Sequence, residues 1–186
     1  YVSPAAANKD GVVYMAEERE REGLVGIASI KNNLTISIMP RITQYGLISN
    51  RKEIPLADAL IKTLSVKAFD RNQEINQLSG GNKQKVLVGR IMAHNPLVCL
   101  LDEPTRGVDI EAKESILHTI NEELRKDACI LISSPGLDDL IKICDRILVL
   151  YEGRIIDEFQ RGEFNEHDIF RAVQGEIIHA GEVLSQ

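Results

Sequence analysis

Residues 76–109 read NQLSGGNKQKVLVGRIMAHNPLVCLLDEPTRGVD, and this stretch decides the fold. Ser79 suits a helix N-cap, because its hydroxyl can accept from a free N–H of the first turn. Gly80 and Gly81 lack Cβ atoms, so a ligand can come close to backbone N–H groups at the positive end of the helix dipole. The spacing predicts a helix over residues 81 to about 94, with Val86, Leu87, Ile91 and Met92 turned inward and Asn95-Pro96 as its stop. Leu97-Val98-Cys99-Leu100-Leu101 then reads as a strand buried on both faces, as in a parallel sheet. It leaves Asp102 and Glu103 at its C-terminal end, where open α/β sheets bind ligands.

Those residue types suit phosphate chemistry. Asp102 can hold Mg²⁺ directly or through water, and Glu103 can polarise an attacking water, a role typically worth about 10²–10⁴ in rate. Each motif alone has a plainer reading: SGG as a capped helix with a flexible entry, Asp-Glu as a solvated strand end. Together they supply a phosphate contact and a metal-holding carboxylate, which is what a nucleotide site needs.

LSGGNKQ (residues 78–84) and LLDEPTRGVD (residues 100–109) resemble the signature motif, Walker B strand and D-loop of an ATP-binding-cassette ATPase. GGNKQK, DEPTRGVDIEAK and the upstream GVVYMAEER (residues 11–19) resemble more narrowly the second, C-terminal cassette of the duplicated ATP-binding proteins of bacterial ribose-, galactose- and xylose-type importers, over residues 3–175. The resemblance implies ATP and Mg²⁺ as cofactors and Glu103 as the catalytic base. Asp102 becomes the Walker B carboxylate, and Leu78, Ser79, Gly80, Gly81 and Gln84 the signature that contacts, in trans, nucleotide held by another cassette. Asp109 becomes the D-loop residue that meets the opposite cassette. The implied fold is α/β, a parallel-sheet P-loop NTPase-type core with a helical signature subdomain. A partial cassette is expected over residues 1–175, divided into a helical subdomain at about 29–94 and a Walker B and D-loop core at 95–160, with a tail at 176–186. The implied partners are the N-terminal cassette of the same protein or a second cassette, and transmembrane permease subunits. The implied location is cytoplasmic, peripheral on the inner face of the cell membrane.

Three departures from the family pattern shape the expected activity. Glu17 stands where relatives place a Gln; a carboxylate accepts hydrogen bonds but cannot donate them, and a charged turn within the run 17–22 is the alternative reading. Ser134 or Pro135 occupies the position of the γ-phosphate His, and His94, His118, His167 and His179 lie elsewhere. Finally, the sequence contains no Gly-Lys dipeptide and hence no P-loop. The expectation is a cassette fragment missing the N-terminal strand and P-loop, inactive alone although its parent is an ATPase. The alternative is a non-catalytic cassette module that completes a partner's ATP site or docks the permease.

The rest of the chain fits one α/β domain. Its length of 186 residues allows a substantial core, and a net charge of −6 with dispersed basic residues argues against a nucleic-acid surface. Residues 11–15 read as a short strand, and 97–101, 128–132 and 147–150 as three buried strands separated by helical segments, which suggests a parallel sheet with crossover helices. A helix from 110 to about 125 places Ile116, Leu117, Ile120 and Leu124 on one face, and residues 153–159 suggest a hairpin with 149–151. Lys83, Lys85 and Arg90 are expected mostly on a solvated helix face. Cys99, Cys129 and Cys144 lack metal-ligand spacing and read as reduced, buried thiols of a cytosolic protein.

Overall fold

The computed structural model describes residues 1–18 and 23–178. His179, most of the run 17–22 and residues 179–186 of the expected tail lie outside the described residues. The chain forms two compact units, Tyr1–Ser134 and Pro135–Gln186.

In the first unit, α1 (Pro4–Lys9), capped by the Ser3 hydroxyl, leads into β1 (Val12–Met15). There follow α2 (Ile30–Thr35), a 3₁₀ turn Ile36–Ile38, α3 (Met39–Ile42) and a small antiparallel pair, β2 (Thr43–Gln44) with β3 (Leu47–Ile48). Then come α4 (Asn50–Thr63), α5 (Gly80–Ala93), β4 (Val98–Asp102), α6 (Ile110–Glu122) and β5 (Cys129–Ser133). The sheet order is β1-β4-β5, all parallel, with Met15 opposite Leu101 and Asp102 opposite Ser133. The expected signature helix and the helix after the D-loop both form. Ile116, Leu117, Ile120 and Leu124 are buried along one stripe of the latter and its 3₁₀ extension.

The second unit contains α7 (Leu137–Ile143), β6 (Arg146–Tyr151), β7 (Arg154–Gln160) and α8 (Glu166–Val173). Its core is Ile147, Val149, Phe159, Ile169 and Ala172. The apolar run at 147–150 therefore does not join the parallel sheet. Glu152 and Gly153 both take positive φ, 47° and 78°, the geometry of a two-residue type I′ turn, which folds β6 straight back onto β7.

The sheet is also less enclosed than the apolar runs suggest. Along β4, Cys99 and Leu101 are buried, while Val98, Leu100 and Asp102 are only partly so. On the neighbouring strands Tyr14 and Leu131 are 58% and 61% exposed, and Cys129 is exposed rather than buried. The cause is topological. Both crossovers, β1 through α5 to β4 and β4 through α6 to β5, step in the same direction across the sheet, so right-handedness puts both helices on one face. They pack against each other there and leave the second face without a crossover helix. Cys99 lies on the covered side, where burial and its neighbour Cys129 push its thiol up to about 11.

The helical layer is fastened by buried polar groups. Glu53 of α4 is 2% exposed; its carboxylate meets the Lys31 ammonium at 2.9 Å and accepts from the Thr35 hydroxyl at 2.8 Å. On α5, Lys85 and Arg90 are turned inward rather than solvated. Lys85 Nζ donates to the Ser65 carbonyl at 3.3 Å, and Arg90 donates to the Asn33 carbonyl at 2.7 Å, to Asn33 Oδ1 at 2.8 Å and to the Gly23 carbonyl. Burial holds both cations below their ordinary pKa. Among the described residues no helix is long and apolar enough to cross a membrane.

Removing one member of a buried ion pair strands the other. Glu53→Ala should therefore lower unfolding free energy by about 3–5 kcal/mol, read as a fall in the urea midpoint at unchanged slope. A loss below about 1 kcal/mol would mean the Lys31 ammonium reaches water without it.

Candidate functional site

Asp102 ends β4, and its carboxylate is held from both neighbouring strands. The Ser133 hydroxyl donates to Oδ1 at 2.5 Å and the Tyr14 phenol to Oδ2 at 3.1 Å. The hydrogen-bond register explains the first contact, because Ser133 is the residue directly opposite. Neither partner is marked as a site residue by sequence motif alone. Only the strand order brings them together.

The chain turns sharply after Asp102. Glu103 adopts φ +44°, the left-handed region that a non-glycine residue occupies only when its surroundings hold it there. Three hydrogen bonds do so. The Glu103 N–H donates to the Ser133 carbonyl at 3.0 Å, the Arg106 N–H donates to the Glu103 carbonyl at 3.0 Å, and the Gln84 amide donates to the Pro104 carbonyl at 2.7 Å. The Glu103 carboxylate lies 3.5 Å from the Arg106 guanidinium, which also forms an ion pair with Glu17. Ser134, half-buried, and Pro135, exposed, follow β5; the serine that reaches Asp102 is the residue before them.

The start of α5 is the second cluster. Ser79 is its N-cap as expected, its Oγ accepting from the Asn82 N–H at 3.4 Å and from the Asn82 side-chain amide at 2.9 Å. Its hydroxyl proton is left to donate outward, and the Gly80 and Gly81 N–H groups lie in the first turn, where helical partners are lacking. Two residues of the motif have structural duties. A Cβ on Gly81 would stand 2.5 Å from the Ala112 Cβ of α6, so this glycine sets the approach of two helices. Gln84 is 2% exposed and spent on the Pro104 carbonyl. Leu78 is buried beside them. Asp109 caps α6, its Oδ1 accepting from the Ala112 N–H at 2.9 Å, so the two helix starts are adjacent.

Among the described residues no group of three or more His, Cys, Asp or Glu side chains is placed to hold a metal. The donors present are one strand-end carboxylate and a serine hydroxyl on it. That set fits Mg²⁺, which is commonly held by one or two carboxylates with phosphate and water completing its octahedron. His94 sits apart, in a cavity of about 260 Å³ shared with Tyr14, Met15 and Arg90. Burial, with Arg41 and Arg90 adding, holds its pKa below the usual histidine range.

Residues 8–106 match the family model described as ABC transporter. The chain is 40% identical over 176 residues to a ribose import ATP-binding protein of Caldanaerobacter subterraneus, covering 94% of this chain and 36% of that protein. It is 34% identical over 173 residues to a xylose import ATP-binding protein of Thermoanaerobacter pseudethanolicus, covering 93% and 34%. It thus spans about a third of the length of the curated relatives it matches. A nucleotide-free ATP-binding cassette from an ABC transporter superposes with a TM-score of 0.72 at 20% identity, over 97% of this chain and 72% of that one. A dimeric post-hydrolysis cassette bound to ADP and phosphate gives 0.68 at 22%, over 82% and 64%. These structures establish the shared fold.

The Gly81 contact is testable without any ligand. Gly81→Ala should cost about 1–3 kcal/mol by overpacking α5 against α6. In urea denaturation, Ala112→Gly in the same chain should recover part of that loss. Additive losses from the two substitutions would show that the helices do not meet there.

Proposed function

The chain belongs to the ABC transporter family, and on that premise we propose that it is part of the ATP-binding subunit that energises monosaccharide import, contributing a signature motif and a Walker B carboxylate pair. The observation that carries this reading is the Gln84–Pro104 hydrogen bond. It fastens the Ser-capped start of α5 to the turn that carries Asp102 and Glu103, so both halves of the proposed chemistry ride on one rigid body. The ribose and xylose import names of the relatives support the transport role, and their greater length supports treating this chain as one part of a larger machine.

In this reading Glu103 accepts the proton of the attacking water, with the left-handed backbone setting the direction in which its side chain leaves the chain. Asp102, oriented by Tyr14 and Ser133, is the residue that would hold Mg²⁺, which when bound neutralises phosphate charge. Ser79 Oγ and the N–H groups of Gly80 and Gly81 donate to phosphate oxygens of an ATP whose P-loop belongs to another cassette, while Asp109 meets that cassette at the interface. Leu78 and Gln84 support this start of α5 from below. No Gly-Lys dipeptide occurs among these 186 residues, so this reading assigns none of them to cradling ATP for Asp102 and Glu103. The subdomain division at 29–94 and 95–160 follows the same scheme, with the helical part facing the permease subunits at the inner face of the membrane. A second reading, a non-catalytic module that completes a partner's site, is favoured by the Glu103 carboxylate already facing Arg106 and by Ser134-Pro135 in place of a histidine.

Calorimetry with Mg-ATP separates the possibilities. The chain alone should bind weakly and not hydrolyse. Mixed with a complete P-loop-bearing cassette, affinity should appear or tighten, and Ser79→Arg should abolish the gain. Equal binding by the chain alone would refute the trans assignment. Where the mixture hydrolyses ATP, Glu103→Gln should lower the rate by about 10²-fold or more; a rate unaffected by that change favours the second reading.

A further inference from the structure

We propose that the β2–β3 hairpin is a membrane-contact element, whose apolar tip enters the headgroup boundary of a bilayer while cations at its base meet anionic lipid. The proposal does not rest on the ATPase chemistry assigned above. β2 and β3 pair with Thr43 opposite Ile48 and Gln44 opposite Leu47. Tyr45 and Gly46 join them at φ +52° and +81°, the geometry of a two-residue type I′ turn. Asn, Asp or Gly ordinarily takes the first position of such a turn, because the left-handed backbone is costly for a bulky residue. Here a tyrosine occupies it, 96% exposed, with Leu47 at 75%. Ile36, Met39 and Ile48 add further exposed apolar surface nearby in the sequence. An apolar cluster that buries so little within its own chain marks a contact with another body.

The hairpin is held firmly at its base. The Ser49 N–H donates to the Ile42 carbonyl at 2.9 Å and the Thr43 hydroxyl to the Met39 carbonyl at 2.7 Å. The Arg41 guanidinium donates to the His94 carbonyl at 2.7 Å, fastening the approach to β2 onto the end of α5. Flanking Ile38 and Ile42 are buried, so the exposed tip stands on packed structure.

Charge decides the partner. The chain has 28 Asp and Glu residues and a net charge of −6, yet residues 23–52 contain none of those acids and carry Lys31, Arg41, Arg51 and Lys52. The next acid, Glu53, is buried against Lys31. Arg41 precedes the hairpin and Arg51 and Lys52 follow it, all three exposed. An aromatic ring and aliphatic side chains at one end of an element, with basic residues at the other, suit an anionic lipid interface: rings settle at headgroup level, and long basic side chains reach the phosphates. The exposed apolar residues of α8 provide the contrast. Phe170 and Val173 lie among Glu166, Asp168 and Glu176, acids that the same surface repels.

The chain contains no tryptophan, so Tyr45→Trp places a unique reporter at the tip. With vesicles of mixed phosphatidylglycerol and phosphatidylcholine, its emission should move to shorter wavelength, and added salt should weaken the response. Phosphatidylcholine alone should give no shift. In co-sedimentation with the mixed vesicles, Tyr45→Ser with Leu47→Ser should weaken binding by about tenfold or more, and Arg51→Gln with Lys52→Gln by a similar factor. Phe170→Ser with Val173→Ser should leave binding unchanged. The substituted side chains at the hairpin are exposed, so both of its double variants should keep the parent urea midpoint. No shift with the mixed vesicles, or binding indifferent to both hairpin variants, would overturn the proposal. An equal shift with phosphatidylcholine alone would overturn the anionic assignment. A shift seen only when the membranes carry permease subunits would identify a protein partner instead and overturn the lipid contact.

Discussion

The position of β4 between two parallel neighbours is the constraint on which the site depends. Its backbone groups are paired on both sides with β1 and β5, so the end of the strand has little freedom. Asp102 inherits that rigidity and is further held by a hydroxyl from each flanking strand. The next residue enters a strained left-handed conformation, stable because the hydrogen bonds around it come from elements that are themselves fixed. Preorganisation of this kind matters in catalysis, since a carboxylate that is already aimed loses nothing to reorientation when the reaction occurs.

The same sheet determines where the helices go. Two crossovers of the same hand and direction put α5 and α6 on one face, close enough that Gly81 cannot carry a side chain. The close packing brings the N-terminus of α5, capped by Ser79, beside that of α6, capped by Asp109. It also lets buried Gln84 reach the turn after β4. Gln84 thus works inside this chain as a strut, while Ser79 at the start of the same helix is exposed.

Charge is placed with comparable economy. Arg90 and Lys85 lie inside the helical layer, where carbonyl and amide oxygens replace water around them. Glu53 is buried only because Lys31 and Thr35 satisfy it, consistent with the high cost of an unpartnered buried charge. At the carboxylate end of the sheet, among the described residues, the Arg106 guanidinium lies beside the carboxylates of Glu17 and Glu103.

Much of this was legible in the sequence. Apolar runs fix strands and helical spacing fixes the stripes of α5 and α6, because burial is read residue by residue. Ser79 and the Asp102-Glu103 pair stand out because caps and strand-end carboxylates are local devices. What the sequence could not settle depends on neighbours distant along the chain. The run at 147–150 looks like any buried strand, and only the tight turn at Glu152-Gly153 and the antiparallel register exclude it from the parallel sheet. Cys129 and Leu131 look buried, and the handedness of two crossovers exposes them. Nothing local marks Tyr14 or Ser133 as a partner of Asp102, and they meet it only through strand order. The sequence by itself determined which segments form and which residue types carry the chemistry, because those follow from local periodicity and side-chain character. The tertiary structure decided which face is open, which glycine is a helix contact and which side chains meet the carboxylates, because these are properties of pairings that no local pattern encodes.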